Sequence, residues 1–153
     1  MSEPIKLNLG ACQPTTGYVN LDIRKAPGIT VFDLNNPIKY KEVSEIKAIH
    51  LFEHLKRDTL DEAVRSWYEA LSTGGKLILE LPDLKECMTR FLAGDHFMLK
   101  WIFGNQEHEG QYHHWGWTKP MLVEYLSMIG FKDIRLMPAE KYTELSFRVE
   151  CIK

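Results

Sequence analysis

The chain has 153 residues, 44% of them apolar, with four Trp and seven Phe, the size of one domain with enough apolar material to close a core; a disordered chain is excluded. Nineteen basic against twenty-one acidic residues leave a formal charge of −2, so no overall positive field draws it to nucleic acid or an anionic membrane. No basic segment followed by a long apolar run opens the chain, and no later stretch reaches the roughly 20 apolar residues that span a bilayer; the expectation is a soluble, cytoplasmic, single domain over 1–153. Cys12, Cys87 and Cys151 are odd in number and far apart, which fits reduced thiols better than a disulfide framework or a zinc knuckle.

Residues 5 to 9 alternate apolar and polar, end at Gly10, and resume after a Pro-Thr-Thr-Gly turn as residues 18 to 23. These are two strands by period. A third, 29 to 32, runs into Asp33, and a fourth, 46 to 51, runs into Glu53 and His54. Over 58 to 72 the period changes: Leu60, Val64, Trp67, Tyr68 and Leu71 share a helical face, with Asp58 placed to cap the start and Gly74-Gly75 to stop the helix. Residues 76 to 81 form a β-prone run closed by Pro82 and Asp83, and read as a central strand.

Residues 84 to 102 are helical in pieces, interrupted at Gly94-Asp95. From 103 to 117 the chain is rich in Gly, Gln and His without periodicity, a loop long enough to serve as a substrate lid. Thr118 can cap a helix carrying Pro120 in its first turn, an apolar stripe of Leu122, Leu126 and Ile129, and Gly130 just past its end. The last strands are 131 to 137 and 145 to 153. Strands alternating with helices in a short chain predict an α/β layer structure.

Ligands of open α/β sheets bind beyond the carboxyl ends of the strands. Polar residues collect at those ends: Gly10 closes the first strand, Asp22 the second and Asp33 the third, Glu53 and His54 follow the fourth, and Pro82-Asp83 the fifth. Carboxylates at successive strand ends suit a ligand that presents hydroxyl and amine donors. The connection from Gly10 to Tyr18 is too short for a full helical crossover. Either the first two strands form a hairpin, or they are parallel and their helix is vestigial.

Leu7-Asn8-Leu9-Gly10 with Gly17-Tyr18-Val19-Asn20-Leu21-Asp22-Ile23 resembles the opening of class I S-adenosylmethionine-dependent methyltransferases of the small, single-domain, type 11-like subgroup. The likeness continues through Asp33-Leu34, His50-Leu51-Phe52-Glu53-His54-Leu55, Ala70 to Leu77 and Leu81-Pro82-Asp83. It ends with His114-Trp115-Gly116-Trp117-Thr118 and Ile129-Gly130-Phe131. Singly these motifs are weak; their shared order along the chain is what carries the resemblance.

The resemblance implies a Rossmann-like three-layer α/β/α fold: a mostly parallel seven-stranded sheet with helices on both faces, an antiparallel last strand and a reduced first helix. It implies S-adenosyl-L-methionine as cofactor, with Gly10, Ala11, Cys12, Asp22, Ile23, Asp33, Leu34, Leu51, Glu53 and His54 lining its site. Gly10 would admit the methionine part, Asp22 would accept from the ribose hydroxyls, and Asp33 and Leu34 would meet the adenine. The family's second turn glycine is Cys12 here, and its side chain would crowd the cofactor or redirect the loop.

His108, His113 and His114, with Glu107 and Glu109, form the densest titratable set. Three readings stand side by side: a lid in which His114 or His113, with Glu53 close by, serves as catalytic base; a metal site, although the spacing matches no firm motif; and a structural loop anchored by Trp115 and Trp117. No metal is assigned from the sequence. The functional expectation is methyl transfer to an oxygen or nitrogen of a small or saccharide-like acceptor. Its rivals are a catalytically silent cofactor-binding protein and a metal-dependent enzyme of the histidine loop. No clear nucleic-acid or membrane partner is indicated, and a homo-oligomer is compatible with the sequence.

Overall fold

A computed structural model describes residues 3–153. Its seven strands are β1 (Ile5–Leu9), β2 (Val19–Asp22), β3 (Thr30–Val31), β4 (Val43–Ile49), β5 (Leu71–Pro82), β6 (Lys132–Pro138) and β7 (Ser146–Ile152). The helices are α1 (Leu60–Ala70), α2 (Leu84–Leu92), α3 (Met98–Phe103) and α4 (Lys119–Ile129). All strands join one sheet in the order β3-β2-β1-β4-β5-β7-β6. β1 pairs parallel with β2, which excludes the hairpin, and β7 runs antiparallel to both β5 and β6.

Alternation along the strands divides the sheet into an apolar and a polar face. Leu21, Leu9, Ala48, Leu79 and Val149 are register partners across five strands, and all are buried. Against this row pack Val64 and Trp67 of α1 and Leu122 and Leu126 of α4. The row one residue along reads Asn20, Asn8, Lys47, Ile78 and Glu150. The connections β1–β2, β2–β3 and β3–β4 contain no helix among the described residues, so the helical covering is uneven and the first helix is reduced to a loop.

Polar contacts take over on that second face. Asn8 Nδ2 donates to Asn20 Oδ1 at 2.9 Å, Lys47 Nζ donates to Thr15 Oγ1 at 2.8 Å and lies 4.5 Å from the Tyr18 ring centre, and the Tyr18 hydroxyl donates to Glu45. Burial and that bond to Glu45 push the Tyr18 phenol up to about 12. Glu80, fully buried, accepts from the backbone amides of Glu140 at 2.9 Å and Lys141 at 2.7 Å, with Arg148 Nη1 at 3.7 Å.

Three expected caps are corrected. The residue before α1 is Thr59, not Asp58, and its hydroxyl turns to Asn35 Oδ1 at 3.3 Å instead of capping. Gly74-Gly75 do not stop α1: the helix ends as Leu71 turns extended, and the two glycines lie within β5. A Cβ on Gly75 would sit 2.9 Å from the Ser72 carbonyl oxygen and 3.0 Å from that of Val43. Thr118 is the residue before α4 but makes no side-chain cap; Gly130, at φ +123°, closes that helix as its sequence implies.

Glu80 ties the loop after β6 to the middle of the sheet through two charge-assisted bonds. Glu80→Ala removes the acceptor of both amides and is expected to lower the unfolding free energy by about 1–3 kcal/mol, read from urea denaturation.

Candidate active site

The chain proceeds from β1 through β2 to β3 on one side of the sheet and returns through β4 to β5 on the other, so the order reverses between β1 and β4. Loops leaving these two strands diverge there, which makes their carboxyl ends the natural crevice of the fold. Gly10 takes φ +68° at this point, and a Cβ on it would stand 2.9 Å from Leu51 Cβ. The approach that requires glycine is therefore to Leu51. The amides of Gly10 and Ala11 both reach Leu21 O, at 2.9 and 3.1 Å, and Cys12 N reaches Gly10 O at 2.8 Å.

Asp22 is buried at the end of β2, yet its described hydrogen bonds use Oδ1 alone, from Arg24 N at 2.8 Å and Arg24 Nε at 3.3 Å. Bonds to Cys12 and Asp22 raise the Arg24 guanidinium further. Ile23, beside it, is exposed. Asp33 Oδ1 receives Asn35 N and Asn35 Nδ2, both at 3.0 Å, a turn held by a side chain. Leu34 is buried in the main core. Gly10, Ala11, Cys12, Asp22, Ile23 and Leu51 thus gather at the crevice, while Asp33 and Leu34 serve the turn and the core.

The second half of the site follows β4. His50 adopts φ +51° and ends the strand two residues before the expected Leu51. A single 3-10 turn, Phe52–His54, follows. Phe52 is fully buried among the rings of Trp67, Trp117 and Tyr125, at 6.0, 5.2 and 6.2 Å between centres. With that ring fixed, Glu53 and His54 are held on the neighbouring side of the turn.

Residues 103 to 117 are pinned at both ends. His113 N donates to Phe103 O at 3.0 Å, His114 N to Glu53 O at 2.8 Å, and Leu84 N to Trp117 O at 2.9 Å. Gly104 allows the closest crossing, since a Cβ there would fall 1.8 Å from Gln111 O. Only the tip of this loop stands clear as a lid would; Gly110 lies beside Ile23, and Lys56 meets Glu109 at 3.8 Å. Trp117 anchors the loop in the core, whereas Trp115 is partly exposed beneath Arg57.

Of the three catalytic candidates the fold brings two together. Glu53 and His113 line one shallow depression of about 10 Å³, room for about one water, with Pro82, Leu84, Trp101 and Trp117. His114 is exposed, its ring stacked on Tyr112. His50 joins the site without having been singled out by the sequence, its Nδ1 3.3 Å from Glu53 Oε1, and the expected His54 meets the His113 ring edge to face at 4.7 Å. His108, Glu107 and Glu109 lie outside this cluster, exposed.

Burial acts to raise the Glu53 carboxyl, but the His50 hydrogen bond and the charges of His54, His50 and His113 outweigh it and leave it below the usual carboxylate range. Burial also pushes the His113 imidazole down, against the pull of Glu53. Burial holds the Cys151 thiol up at about 12, an inert core residue.

The sequence matches no family model, and it matches no curated protein. Comparison of structures is decisive for the architecture: this is a Rossmann-like α/β protein. It superposes on a SAM-dependent methyltransferase from Archaeoglobus fulgidus with TM-score 0.66 and 13% identity, over 98% of this chain and 86% of that one. It matches 1,6-didemethyltoxoflavin-N1-methyltransferase from Burkholderia thailandensis, solved with S-adenosylhomocysteine, with TM-score 0.67 and 14% identity over 98% and 71%. A SAM-dependent methyltransferase from Thermotoga maritima gives 0.65 and 11% over 100% and 83%. Other matched chains are longer, and this one spans 52% of a structure from Nostoc punctiforme. The fold is that of the class I SAM-dependent methyltransferases. Among the described residues no helix is long and apolar enough to cross a membrane.

The two perturbed groups predict the response to acid. His113 has a folded pKa below the ordinary 6.5 and Glu53 one below the ordinary 4.5. Each therefore contributes stability that is present above its ordinary value and lost as pH falls through the folded one. The urea midpoint should fall between about pH 7.5 and pH 5 and again below about pH 4.5, and His113→Gln should flatten the first decline.

Proposed function

We propose that the protein transfers a methyl group from S-adenosylmethionine to an oxygen or nitrogen of a small or saccharide-like acceptor. The observation that carries this reading is the glycine turn after β1, packed on Leu51, with the buried carboxylate of Asp22 at the end of β2 beside it. The donor set fits the cofactor in part. Asp22 Oδ2 is free among the described bonds to accept from ribose hydroxyls, and the exposed Ile23 offers an apolar surface beside it. The turn amides are already engaged, so they give the methionine end little.

The cofactor supplies an activated methyl on a sulfonium, which leaves positioning as the main task of the protein. In this reading Trp101, Trp115 and Trp117 exclude water from the acceptor, and Glu53 orients it by accepting a hydrogen bond. His113 Nδ1 lies 2.8 Å from Trp101 O, which leaves Nε2 to hold the proton released by the acceptor.

A cofactor-binding protein without turnover is the second reading, favoured by Arg24 lying on Asp22 Oδ1 and by Cys12 in the turn. Single-turnover transfer of a labelled methyl group across an acceptor panel separates the two. Calorimetry with S-adenosylhomocysteine tests what they share: Asp22→Ala should weaken binding ten- to a hundredfold, as expected for the loss of a charge-assisted ribose contact. Unchanged affinity would place the ligand elsewhere.

A further inference from the structure

The geometry points to a divalent transition-metal site of two histidines and one carboxylate, formed by Glu53, His54 and His113 at the edge of the pocket that Glu53 and His113 line. One atom from each side chain lies within 4.8 Å of the others. The orientation of the rings argues for a cation more strongly than their proximity does. His54 Nδ1 is 3.0 Å from Tyr112 O, and His113 Nδ1 is 2.8 Å from Trp101 O. A carbonyl oxygen only accepts, so each Nδ1 carries the hydrogen and each neutral ring turns a lone pair outward at Nε2. Backbone carbonyls fix metal-binding imidazoles in the same way.

The carboxylate completes the case. Glu53 is 3% exposed, and its Oε2 has no hydrogen-bond partner. His54 Nε2 stands 4.0 Å from Glu53 Oε1, an acceptor facing an acceptor. His50 Nδ1, at 3.3 Å from Oε1, is the one ring nitrogen able to donate from this side. Two imidazole lone pairs facing a buried carboxylate whose Oε2 has no donor are costly unless a cation joins them.

Two imidazoles and a carboxylate favour zinc, cobalt or ferrous iron over magnesium or calcium, which prefer all-oxygen sets. Bonds of about 2.0–2.2 Å require the three side chains to close in by small rotations as the ion enters. Three protein ligands would leave a coordination position open, where a bound hydroxyl would become more acidic. The metal would then take over from His113 Nε2 in handling that proton. The inference does not rest on methyl transfer or on the cofactor.

The test is direct binding. The full chain, stripped with chelator, is titrated with Co²⁺ followed by visible absorption, and with Zn²⁺ by calorimetry. One equivalent per chain is expected, with a Kd of about 10 μM or tighter. Glu53→Gln, which preserves volume, and His54→Ala and His113→Ala should each weaken binding at least tenfold while circular dichroism shows the native fold. His108→Ala and Cys12→Ser, which alter exposed potential ligands, should bind as the parent does. The site is refuted if the folded parent takes up no stoichiometric Co²⁺ or Zn²⁺, if binding survives all three ligand substitutions, or if the His108 or Cys12 variant abolishes it.

Discussion

The ring of Phe52 joins parts of the chain that are otherwise separate. It packs on Trp67 of α1, on Trp117 from the end of the histidine loop and on Tyr125 of α4, while its own backbone belongs to the turn after β4. A buried aromatic cluster of this kind contributes by area and by edge-to-face geometry. It also fixes the turn so that Glu53 and His54 project beside it, and Glu53 O receives the amides of His114 and Trp115. The position of His113 is therefore inherited from a hydrophobic contact on the other side of the same turn.

This dependence explains which parts of the site were legible in the sequence. The helix of α1 could be read because Leu60, Val64 and Trp67 repeat at helical spacing, and β5 because its apolar run ends at Pro82. The strand before the turn was read too far, through Leu51, because nothing in local pattern reveals that His50 turns to positive φ. The parallel pairing of β1 and β2 followed from the family resemblance, since a nine-residue connection alone permitted a hairpin. At α1 the expected cap lies one residue early, at Asp58, and the Thr59 hydroxyl at the true boundary bonds Asn35 instead; at α4 Thr118 holds the boundary without a side-chain cap.

The titratable cluster was harder to see for a different reason. Sequence proximity drew His108, His113, His114, Glu107 and Glu109 into one group, but only His113 points into the pocket. Its partners, Glu53, His54 and His50, lie far back along the chain and meet it because the segment 112–115 is bonded onto the turn after β4, Tyr112 O to His54 Nδ1 and His114 N to Glu53 O. Contacts of that kind depend on backbone groups, which every residue carries, and so leave no signature in side-chain spacing.

The two halves of the crevice are built by different means. Where β1 leaves the sheet there is no helix to aim its amides at an anionic ligand, because the chain from Gly10 to β2 is a loop whose first amides bond inward to Leu21 and Gly10. A ligand on that side would meet side chains, chiefly Asp22 and Ile23, and no helix terminus. The second face of the sheet, without helices from these connections, is sustained by the Asn8–Asn20 bond, Lys47 over Tyr18 and the buried Glu80. On the Glu53 side the opposite holds: Trp117 and Phe52 are locked by packing and the paired histidines by carbonyls. Preorganisation is thus concentrated around Glu53 and His113, and the β1 side has the fewer fixed groups with which to meet a ligand.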